Sequence, residues 1–380
     1  MNSFLIFVVL LLVALAFWQL TKIFDLSQAG TNKDDSGVAT DHDNNVNGYL
    51  MFAFLGFIYI FTIINIVLYG DFPILSDSAS AHGNHVDSLM WISLVIIFVV
   101  QTITQALLHY FAFKYRGNKN QKATFFADSH KLEMIWTIIP AITLFGLILY
   151  GLYQWTEIMY IDENEEAVVI EVYAKQFGWE ARYAGDDQVL GKANVRYIEG
   201  VNTMGVDAAD PNAQDDIPVS ELYLPKGKKV VFKFRSQDVL HSAYMPHFRA
   251  QMNCVPGMVT QFAFIPTMTT DEMRQTKNMV KKVERINKIR VENSKKLVAK
   301  GEEALEPYTF DYLLLCNKIC GASHYNMQMK ITVVEEADFK KWLKDKPRFP
   351  EVLKPKVEAP AAGADAPAVK DTLTMAQLQR

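Results

Sequence analysis

Cysteine is scarce in this sequence of 380 residues, which contains only Cys254, Cys316 and Cys320. An odd count this low argues against a disulfide framework. The net charge of −4 gives no indication of a nucleic-acid partner. The sequence also lacks a C-x-x-C-H segment, so the chain carries no covalently attached c-type haem. Two of the three cysteines instead lie in one short stretch, CNKICGASHYNMQMK (316–330), which favours a metal or redox role there.

Long apolar runs dominate the first 155 residues. They are FLIFVVLLLVALAFWQL (4–20), YLMFAFLGFIYIFTIINIVLY (49–69), MWISLVIIFVVQTITQALLHYFAF (90–113) and MIWTIIPAITLFGLILYGLYQW (134–155). A helix needs about 20 apolar residues to cross the hydrocarbon core of a bilayer, and the last three runs reach that length. The first run is shorter and has a sequence resembling a signal-peptide cleavage site at Ala14-Leu15-Ala16, but no positive charge precedes it. We therefore expect four transmembrane helices, the first of them uncleaved.

The distribution of positive charge predicts the orientation of these helices. The loop 114–131 carries five Lys or Arg residues, whereas the loop 70–89 carries none. Because cytoplasmic loops are enriched in Lys and Arg, the first of these loops should face the cytoplasm and the second should face outside. Both termini, and any domain that follows the last helix, then lie outside.

Short segments with strand character begin at about residue 165. They are VVIEVYAKQFGWEARY (168–183), LYLPKGKKVVFKFRS (222–236), MVTQFAFIP (258–266), YTFDYLLLC (308–316) and MKITVVE (329–335). Their β-branched and aromatic residues, separated by turn signals, predict an all-β sandwich or barrel.

A basic segment interrupts this pattern. Residues 271–300 hold ten Lys or Arg against four Asp or Glu, and Met279, Val283 and Ile286 have helical spacing. One or two amphipathic helices are expected, either as a solvated insertion or as a docking element for a partner protein or a lipid surface. The Ala/Pro-rich tail is expected to be disordered.

These patterns divide the chain into five segments. The predicted segments are an extra N-terminal transmembrane helix and loop (1–48), a second transmembrane helix and outer loop (49–89), a transmembrane helical hairpin (90–160), a β domain (161–348) with a helical insertion at about 268–307, and the tail (349–380).

The stretch that begins at Cys316 has the spacing of a metal site. Cys316 and Cys320 are four residues apart, His324 follows after four more and Met327 after three. Zinc sites usually bring more Cys or His, whereas methionine is a weak ligand typical of copper electron-transfer sites. The upstream segment SQDVLHSAYMPHF supplies one more candidate ligand, His241, and His247 is the alternative for the same role. Two thiolates can bridge two copper ions, which makes the second cysteine the distinctive feature.

The plainer interpretation is that these cysteines and Met327 are ordinary core residues. His324 argues against it, because it continues the regular spacing of the three other residues. Cys254 is interpreted as a small buried residue. His82 and His85 are interpreted as residues of a solvated loop.

These motifs together resemble subunit II of the haem–copper cytochrome c oxidases. The family pattern C-x-x-x-C-x-x-x-H-x-x-M is matched in full, and DVLHS (238–242) matches the upstream ligand segment. KLEMIWTIIPAI (131–142) resembles the start of the second transmembrane helix of the family, and KQFGWEARY (175–183) resembles its aromatic segment.

The resemblance implies a fold, a location and a cofactor. The fold is a set of N-terminal transmembrane α-helices followed by an all-β cupredoxin-like barrel, here with a helical insertion. The location is a bacterial-type plasma membrane with the barrel on the periplasmic side. The cofactor is CuA, a centre of two copper ions. Carried over by position, its ligands are His241, Cys316, the backbone carbonyl of Lys318, Cys320, His324 and Met327.

The resemblance also implies a function and partners. The copper centre accepts electrons from cytochrome c, or from a cytochrome c domain, and passes them to haem a of oxidase subunit I. That subunit reduces oxygen and pumps protons, and further oxidase subunits and the lipid bilayer complete the partners. Phe177 and Trp179 match the aromatic segment through which electrons arrive. Glu133 matches a glutamate at the mouth of a proton channel, although an ordinary helix-end acid remains the alternative.

Some positions depart from the family pattern. Lys318 stands where glutamate is usual and Asn253 where aspartate is usual, which argues against the family's magnesium site at the boundary with subunit I. Phe177 replaces the usual tryptophan. Two alternatives stay open: a quinol oxidase subunit II, whose members lack the copper ligands, and a non-enzymatic membrane-anchored copper-binding or assembly protein.

Overall fold

The computed structural model describes residues 2–29, 39–70, 76–123, 125–162 and 165–353. The chain divides into two compact units. One unit contains Met1–Leu75 and His85–Gln154, and the other contains Ser76–Asn84 and Trp155–Arg380.

The first unit consists of long apolar helices. They are α1 (Asn2–Ala29), α2 (Asp41–Tyr69), α3 (Gly83–Lys114) and α4 (His130–Met159). Among the residues that the structure describes, α2, α3 and α4 are long and apolar enough to cross a membrane, whereas α1 contains a shorter apolar stretch, Phe7–Ile23. Three of the four expected spans therefore have the required length. Pro140 lies inside α4, and the helix continues through it.

The second unit is built on two five-stranded sheets. Their strands are β1 (Val168–Lys175), β2 (Gly178–Tyr183), β3 (Ile217–Val219), β4 (Leu222–Pro225), β5 (Val230–Ser236), β6 (His241–Met245), β7 (Ala250–Cys254), β8 (Thr260–Phe264), β9 (Tyr312–Cys316) and β10 (Gln328–Val334). One sheet has the order β3-β2-β1-β5-β8 and the other β4-β10-β9-β6-β7. The pairs β1–β5 and β4–β10 are parallel, and the remaining neighbours are antiparallel.

Apolar side chains from both sheets form one core. Ile170, Phe232, Leu314 and Ile331 are completely buried within it. Burying such side chains contributes about 1.5–3 kcal/mol each, so this core is the main stabilising element of the unit. The predicted fold class, transmembrane helices followed by an all-β cupredoxin-like domain with a helical insertion, is confirmed.

The insertion between β8 and β9 is helical, as predicted. It contains α5 (Thr270–Gln275) and α6 (Lys277–Val298). Met273 and Met279 are buried in the core, and the hydroxyl of Thr270 accepts a hydrogen bond from the backbone of Val333. The start of the insertion is therefore part of the folded β domain.

The tail differs from the expectation of disorder after residue 348. After α7 (Glu336–Lys344), residues Phe349–Val352 form the short helix α8. Phe349 is buried in a second apolar cluster with Tyr173 and Met204, which holds this segment on the domain. Residues 354–380 of the predicted tail lie outside the described residues.

The outer loop between α2 and α3 contributes to the β domain. Its residues Ser76–Asn84 belong to the second unit. The backbone of Ala79 donates to His247 O and accepts from Thr267 N, each at 2.8 Å, and Ser80 Oγ donates to Phe248 O at 2.7 Å. Ala79 is fully buried. The structure thus groups part of the predicted segment 49–89 with the strands.

A buried ion-pair network crosses β1 and β2. Glu171 and Arg182 are cross-strand partners, and Arg182 Nε lies 2.6 Å from Glu171 Oε2. Arg182 also pairs with Asp216, and Arg235 pairs with Glu171. Burial alone would raise the pKa of Glu171, but the two guanidinium groups outweigh it and hold that pKa below its ordinary value. The carboxylate of Asp216 is fully buried.

The first testable prediction concerns Arg182. Arg182→Met removes the shared cation and leaves Asp216 buried without its ion-pair partner. We expect the free energy of unfolding to fall by about 3 kcal/mol, because breaking a buried ion pair from one side strands a desolvated charge. Urea unfolding of the full chain in detergent, followed by circular dichroism, measures this loss.

The matched control for this prediction is Lys340→Met. Lys340 pairs with Glu336 on the exposed surface of α7, where solvent screens the two charges, so the unfolding free energy should change little. Equal losses in the two variants would contradict the role assigned to the buried network.

Candidate metal centre

Strand pairing brings the two halves of the cysteine–histidine site together. β6 and β9 are antiparallel neighbours in which Ala243 faces Cys316. The start of β6 therefore lies beside the end of β9. Because alternate residues of a strand share one face, His241 points to the same side as Ala243 and its partner Cys316. A hydrogen bond of 2.9 Å from Asn317 N to Ser242 O continues the pairing beyond the strand.

The loop between β9 and β10 carries the remaining candidate ligands. Cys320 precedes a turn at Gly321, His324 begins a short 3-10 helix that ends at Asn326, and Met327 follows it. Cys316 N donates to Met327 O at 3.1 Å, which closes the loop at its base. This closure places both ends of the loop at the same edge of the sheet.

Two imidazole nitrogens and one thioether sulfur approach the Sγ atoms of the two cysteines. The Sγ atoms of Cys316 and Cys320 are 3.8 Å apart. His241 Nδ1 lies 3.8 Å from Cys316 Sγ, and His324 Nδ1 lies 3.7 Å from Cys320 Sγ. Met327 Sδ is 3.8 Å from Cys320 Sγ.

The backbone of the loop supplies an oxygen donor. Lys318 O lies 3.2 Å from Cys316 Sγ. Within the described part of the chain, the one cluster of at least three His, Cys, Asp or Glu side chains close enough to share a metal ion is His241, Cys316 and Cys320, whose donor atoms lie within 4.8 Å of one another. The predicted ligands therefore converge on one place.

The thiol of Cys320 resists ionisation. All three cysteines of the chain are free. Burial, followed by the hydrogen bond and charge of Cys316, raises the pKa of the Cys320 thiol to about 11. Two thiolates this close would repel each other unless a bound cation lay between them. Two cysteines, two imidazoles and one thioether match the ligand preference of copper, so this donor set fits that metal.

Comparison with known proteins finds similar chains among the oxidase subunits. Residues 67–153 match the family model described as "Cytochrome C oxidase subunit II, transmembrane domain". Over 272 residues the chain is 29% identical to "Alternative cytochrome c oxidase subunit 2" of Bradyrhizobium diazoefficiens, covering 71% of this chain and 83% of that protein. The chain is therefore similar to cytochrome c oxidase subunit II proteins over most of its length, and residues 67–153 match the transmembrane domain of that family.

Two further matches extend this comparison. "Probable quinol oxidase subunit 2" of Staphylococcus epidermidis is 23% identical over 234 residues, covering 59% of this chain and 54% of that protein. A crystal structure of the periplasmic domain of subunit II of cytochrome oxidase from Bradyrhizobium japonicum covers 47% of this chain and 94% of the solved chain, with 17% identity and a TM-score of 0.27.

Neighbouring side chains hold the candidate ligands in place. His241 is fully buried, and its Nε2 lies 2.8 Å from Asp238 Oδ1. The other oxygen of Asp238 accepts from Gln176 N at 2.8 Å. The side-chain amide of Gln176 in turn donates to Cys320 O. Asp238 belongs to the segment DVLHS that the sequence marks as a ligand segment, whereas the role of Gln176 was missed, although it lies within the aromatic segment KQFGWEARY (175–183).

The two aromatic residues of that segment differ in exposure. Trp179 is buried, its indole N–H donates to Met327 O at 3.4 Å, and its ring centre is 6.2 Å from that of His241. Phe177 is 40% exposed and covers the ligand loop. Gly321 has φ +143°, and a Cβ there would lie 2.8 Å from two ring atoms of Phe177. Only glycine therefore permits this approach of Phe177 to the loop.

Two of the remaining candidate histidines pack against aromatic rings of the β domain. His247 packs its ring against Phe310 and Tyr312, with ring centres 4.9 and 5.6 Å away, and its Nδ1 lies 3.0 Å from Ser76 Oγ. His82 packs its ring against Phe262 of the β domain. Cys254 is fully buried, as expected.

Glu133 belongs to the helical unit. It lies in the first turn of α4, with His130 Nδ1 3.5 Å from its carboxylate. The side chain is half exposed. The structure thus places Glu133 near the start of a candidate membrane span, and its channel role stays a prediction.

The second testable prediction concerns His247. Burial, with help from Lys282, lowers the pKa of His247 from 6.5 to about 4. The unfolded chain then binds a proton more readily than the folded chain, so stability is fully present above pH 6.5 and is lost as the pH falls towards 4. We expect this residue to contribute a loss of about 3 kcal/mol between pH 7.5 and 4.

The measurement compares the wild type with His247→Phe across that pH range. The variant keeps an aromatic ring between its neighbours but cannot titrate, so its unfolding free energy should fall less steeply on acidification. Parallel pH profiles for the two proteins would contradict the burial of a neutral imidazole.

Proposed function

We propose that this chain is the CuA subunit of a cytochrome c oxidase. In this proposal the chain binds two copper ions, accepts electrons one at a time from cytochrome c and passes them to the haem of subunit I. Oxygen reduction and proton pumping then take place in the partner subunit. The observation that carries the proposal is the pair of cysteine Sγ atoms 3.8 Å apart, flanked by two imidazole nitrogens and one thioether.

The donor set supports a pair of metal ions rather than one. A mononuclear blue-copper site uses one cysteine with two histidines and an axial methionine. Here the second cysteine lies between the first one and the loop donors, next to both His324 and Met327. Cys316 lies next to His241 and Lys318 O. Four further donors thus surround the sulfur pair, enough for each of two ions to take its own terminal donors besides the two thiolates that would bridge them.

The protein's own residues would keep these donors in place. When bound, a copper pair bridged by two thiolates supplies a one-electron redox couple whose charge change is spread over both ions. His241 and Cys316 lie on paired strands, so neither can move without disturbing the sheet. Asp238 fixes the imidazole of His241 through its Nε2, which leaves Nδ1 directed at the sulfur atoms. A fixed donor set limits the rearrangement that accompanies electron transfer.

Electron arrival is assigned to the surface at Phe177. This ring is partly exposed and lies over the loop that carries Cys320 and Gly321, whereas Trp179 is buried beneath. A donor protein that contacts Phe177 would be separated from the candidate ligands by one aromatic ring. Cytochrome c, or a cytochrome c domain, is the proposed donor, since this chain has no haem attachment motif of its own.

The quinol oxidase alternative is favoured by one observation. A relative from Staphylococcus epidermidis carries the name "Probable quinol oxidase subunit 2". The resemblance implies that quinol oxidases lack the copper ligands, whereas this chain brings them together in one place. The copper ligands therefore favour the cytochrome c assignment.

The third testable prediction concerns Cys320. The purified full chain loaded with copper should bind two ions and give the electron paramagnetic resonance spectrum of a delocalised mixed-valence pair. Cys320→Ser should lose that spectrum and bind at most one ion, because a single thiolate cannot bridge in the same way. His247→Phe is the control and should keep two ions, because His247 lies among aromatic rings away from the sulfur pair. A Cys320→Ser chain that still binds two ions would contradict bridging.

The fourth testable prediction concerns Asp238. Asp238→Asn keeps the size of the side chain but weakens the contact that orients His241. We expect copper affinity to fall roughly 10–100-fold while the stoichiometry stays at two ions, which is the usual effect of losing a ligand's supporting carboxylate. Competition titration with a copper chelator measures this affinity. Unchanged affinity would show that the strand alone positions the imidazole.

A further inference from the structure

A basic cavity lies where α3 ends and α4 begins. The last turn of α3, the connecting loop and the first turn of α4 enclose a volume of about 1020 Å³. Lys114, Arg116 and Lys122 line it, as do Phe111 and Leu132 from the two helices. Its wall is thus cationic on the loop side and apolar on the helix side.

The positive charge in this cavity is not neutralised within the described part of the chain. The ammonium of Lys114 lies 5.4 and 5.5 Å from the ring centres of Tyr110 and Tyr115. Arg116 Nε donates to the neutral amide oxygen of Asn45 at 2.6 Å. Aromatic faces and amide oxygens orient these side chains without cancelling their charge, so the wall remains attractive to an anion.

The carboxylates at the start of α2 are engaged elsewhere. Asp41 accepts a hydrogen bond from the backbone of Lys119 at 3.0 Å, and Asp43 caps α2 through Thr40. Neither carboxylate lines the cavity. An anion in the cavity would therefore meet cations, amides and aromatic rings.

The position of the cavity at the ends of two candidate membrane spans indicates which class of anion it binds. Both flanking helices are long and apolar enough to span a membrane, so the cavity lies at the ends of two spans, at the level of lipid headgroups. Tyr115 and Phe126, which line it, are 63% and 68% exposed, as is typical of aromatic residues at a membrane surface. Lys and Arg enrichment assigns this loop to the cytoplasmic side, where basic pockets between transmembrane helices bind anionic headgroups.

We infer that this cavity binds an anionic phospholipid. Its phosphate would lie near Lys114 and Lys122, and its acyl chains would lie along Phe111 and Leu132. The volume far exceeds that of a phosphate ion, and the apolar wall has no counterpart in a free anion, so the lipid is favoured over inorganic phosphate. The site is independent of the copper centre, which belongs to the other compact unit.

The test uses the full chain, stripped of lipid in detergent and titrated with phosphatidylglycerol in native mass spectrometry. Lys114→Gln combined with Lys122→Gln should weaken binding at least roughly tenfold, because each basic residue near a membrane surface adds to the attraction. The matched control is Lys119→Gln combined with Lys131→Gln, which removes the same charge from the same loop but from outside the cavity wall. The control should bind like the wild type.

Three outcomes would overturn the inference. Equal weakening in both double variants would mean diffuse attraction to the whole loop. Equal binding of phosphatidylcholine with the same acyl chains, or full competition by inorganic phosphate, would remove the anionic lipid as the ligand. Release of the lipid when the chain associates with the other oxidase subunits would identify the cavity as a subunit contact.

Discussion

Two thiol groups 3.8 Å apart at the edge of a β-sheet are the constraint on which the candidate centre depends. Two thiolates in this position would repel each other, and burial and the neighbouring sulfur raise the pKa of Cys320 to about 11. The short distance between the two sulfur atoms opposes ionisation in the metal-free chain. The same short distance would allow both sulfur atoms to bind the same pair of metal ions. A soft metal ion bound there would supply the opposing positive charge, and the donors around the sulfur atoms would decide how many ions fit.

The fold holds the donor atoms rigidly because they come from two parts of the structure, a strand and a loop. His241 comes from a strand whose register is fixed by its neighbours on both sides, β7 and β9. Cys320, His324 and Met327 come from a loop that returns to Cys316 through one backbone hydrogen bond. Gln176 then ties the loop to the β1–β2 turn, which belongs to the opposite sheet. The core between the sheets thus determines the distance between the strand and the loop.

Much of the centre could be predicted from the sequence because its signals are local. The spacing of Cys316, Cys320, His324 and Met327 is visible in one short stretch, and hydropathy alone marks the long helices. His241 needed the resemblance, since spacing did not separate it from His247. The difference between these histidines is a matter of strand register, because His241 faces the sulfur pair whereas His247 follows the strand and packs among aromatic rings.

The features that sequence analysis missed depend on long-range contacts. Arg182 and Asp216 looked like ordinary polar residues, yet their pairing is buried. Ser76–Asn84 looked like a free outer loop, and its packing on the strands has no local signature. Phe349 seemed to start a disordered tail because low complexity follows it, whereas a cluster formed by distant residues buries its ring. In each case the deciding partner lies far away in the chain.

The most direct measurement is X-ray absorption at the copper edge on the purified, copper-loaded full chain. A pair of ions bridged by Cys316 and Cys320 predicts two sulfur neighbours for each copper together with a short copper–copper scattering path. A spectrum with one sulfur neighbour per copper and no copper–copper path would contradict the dinuclear centre.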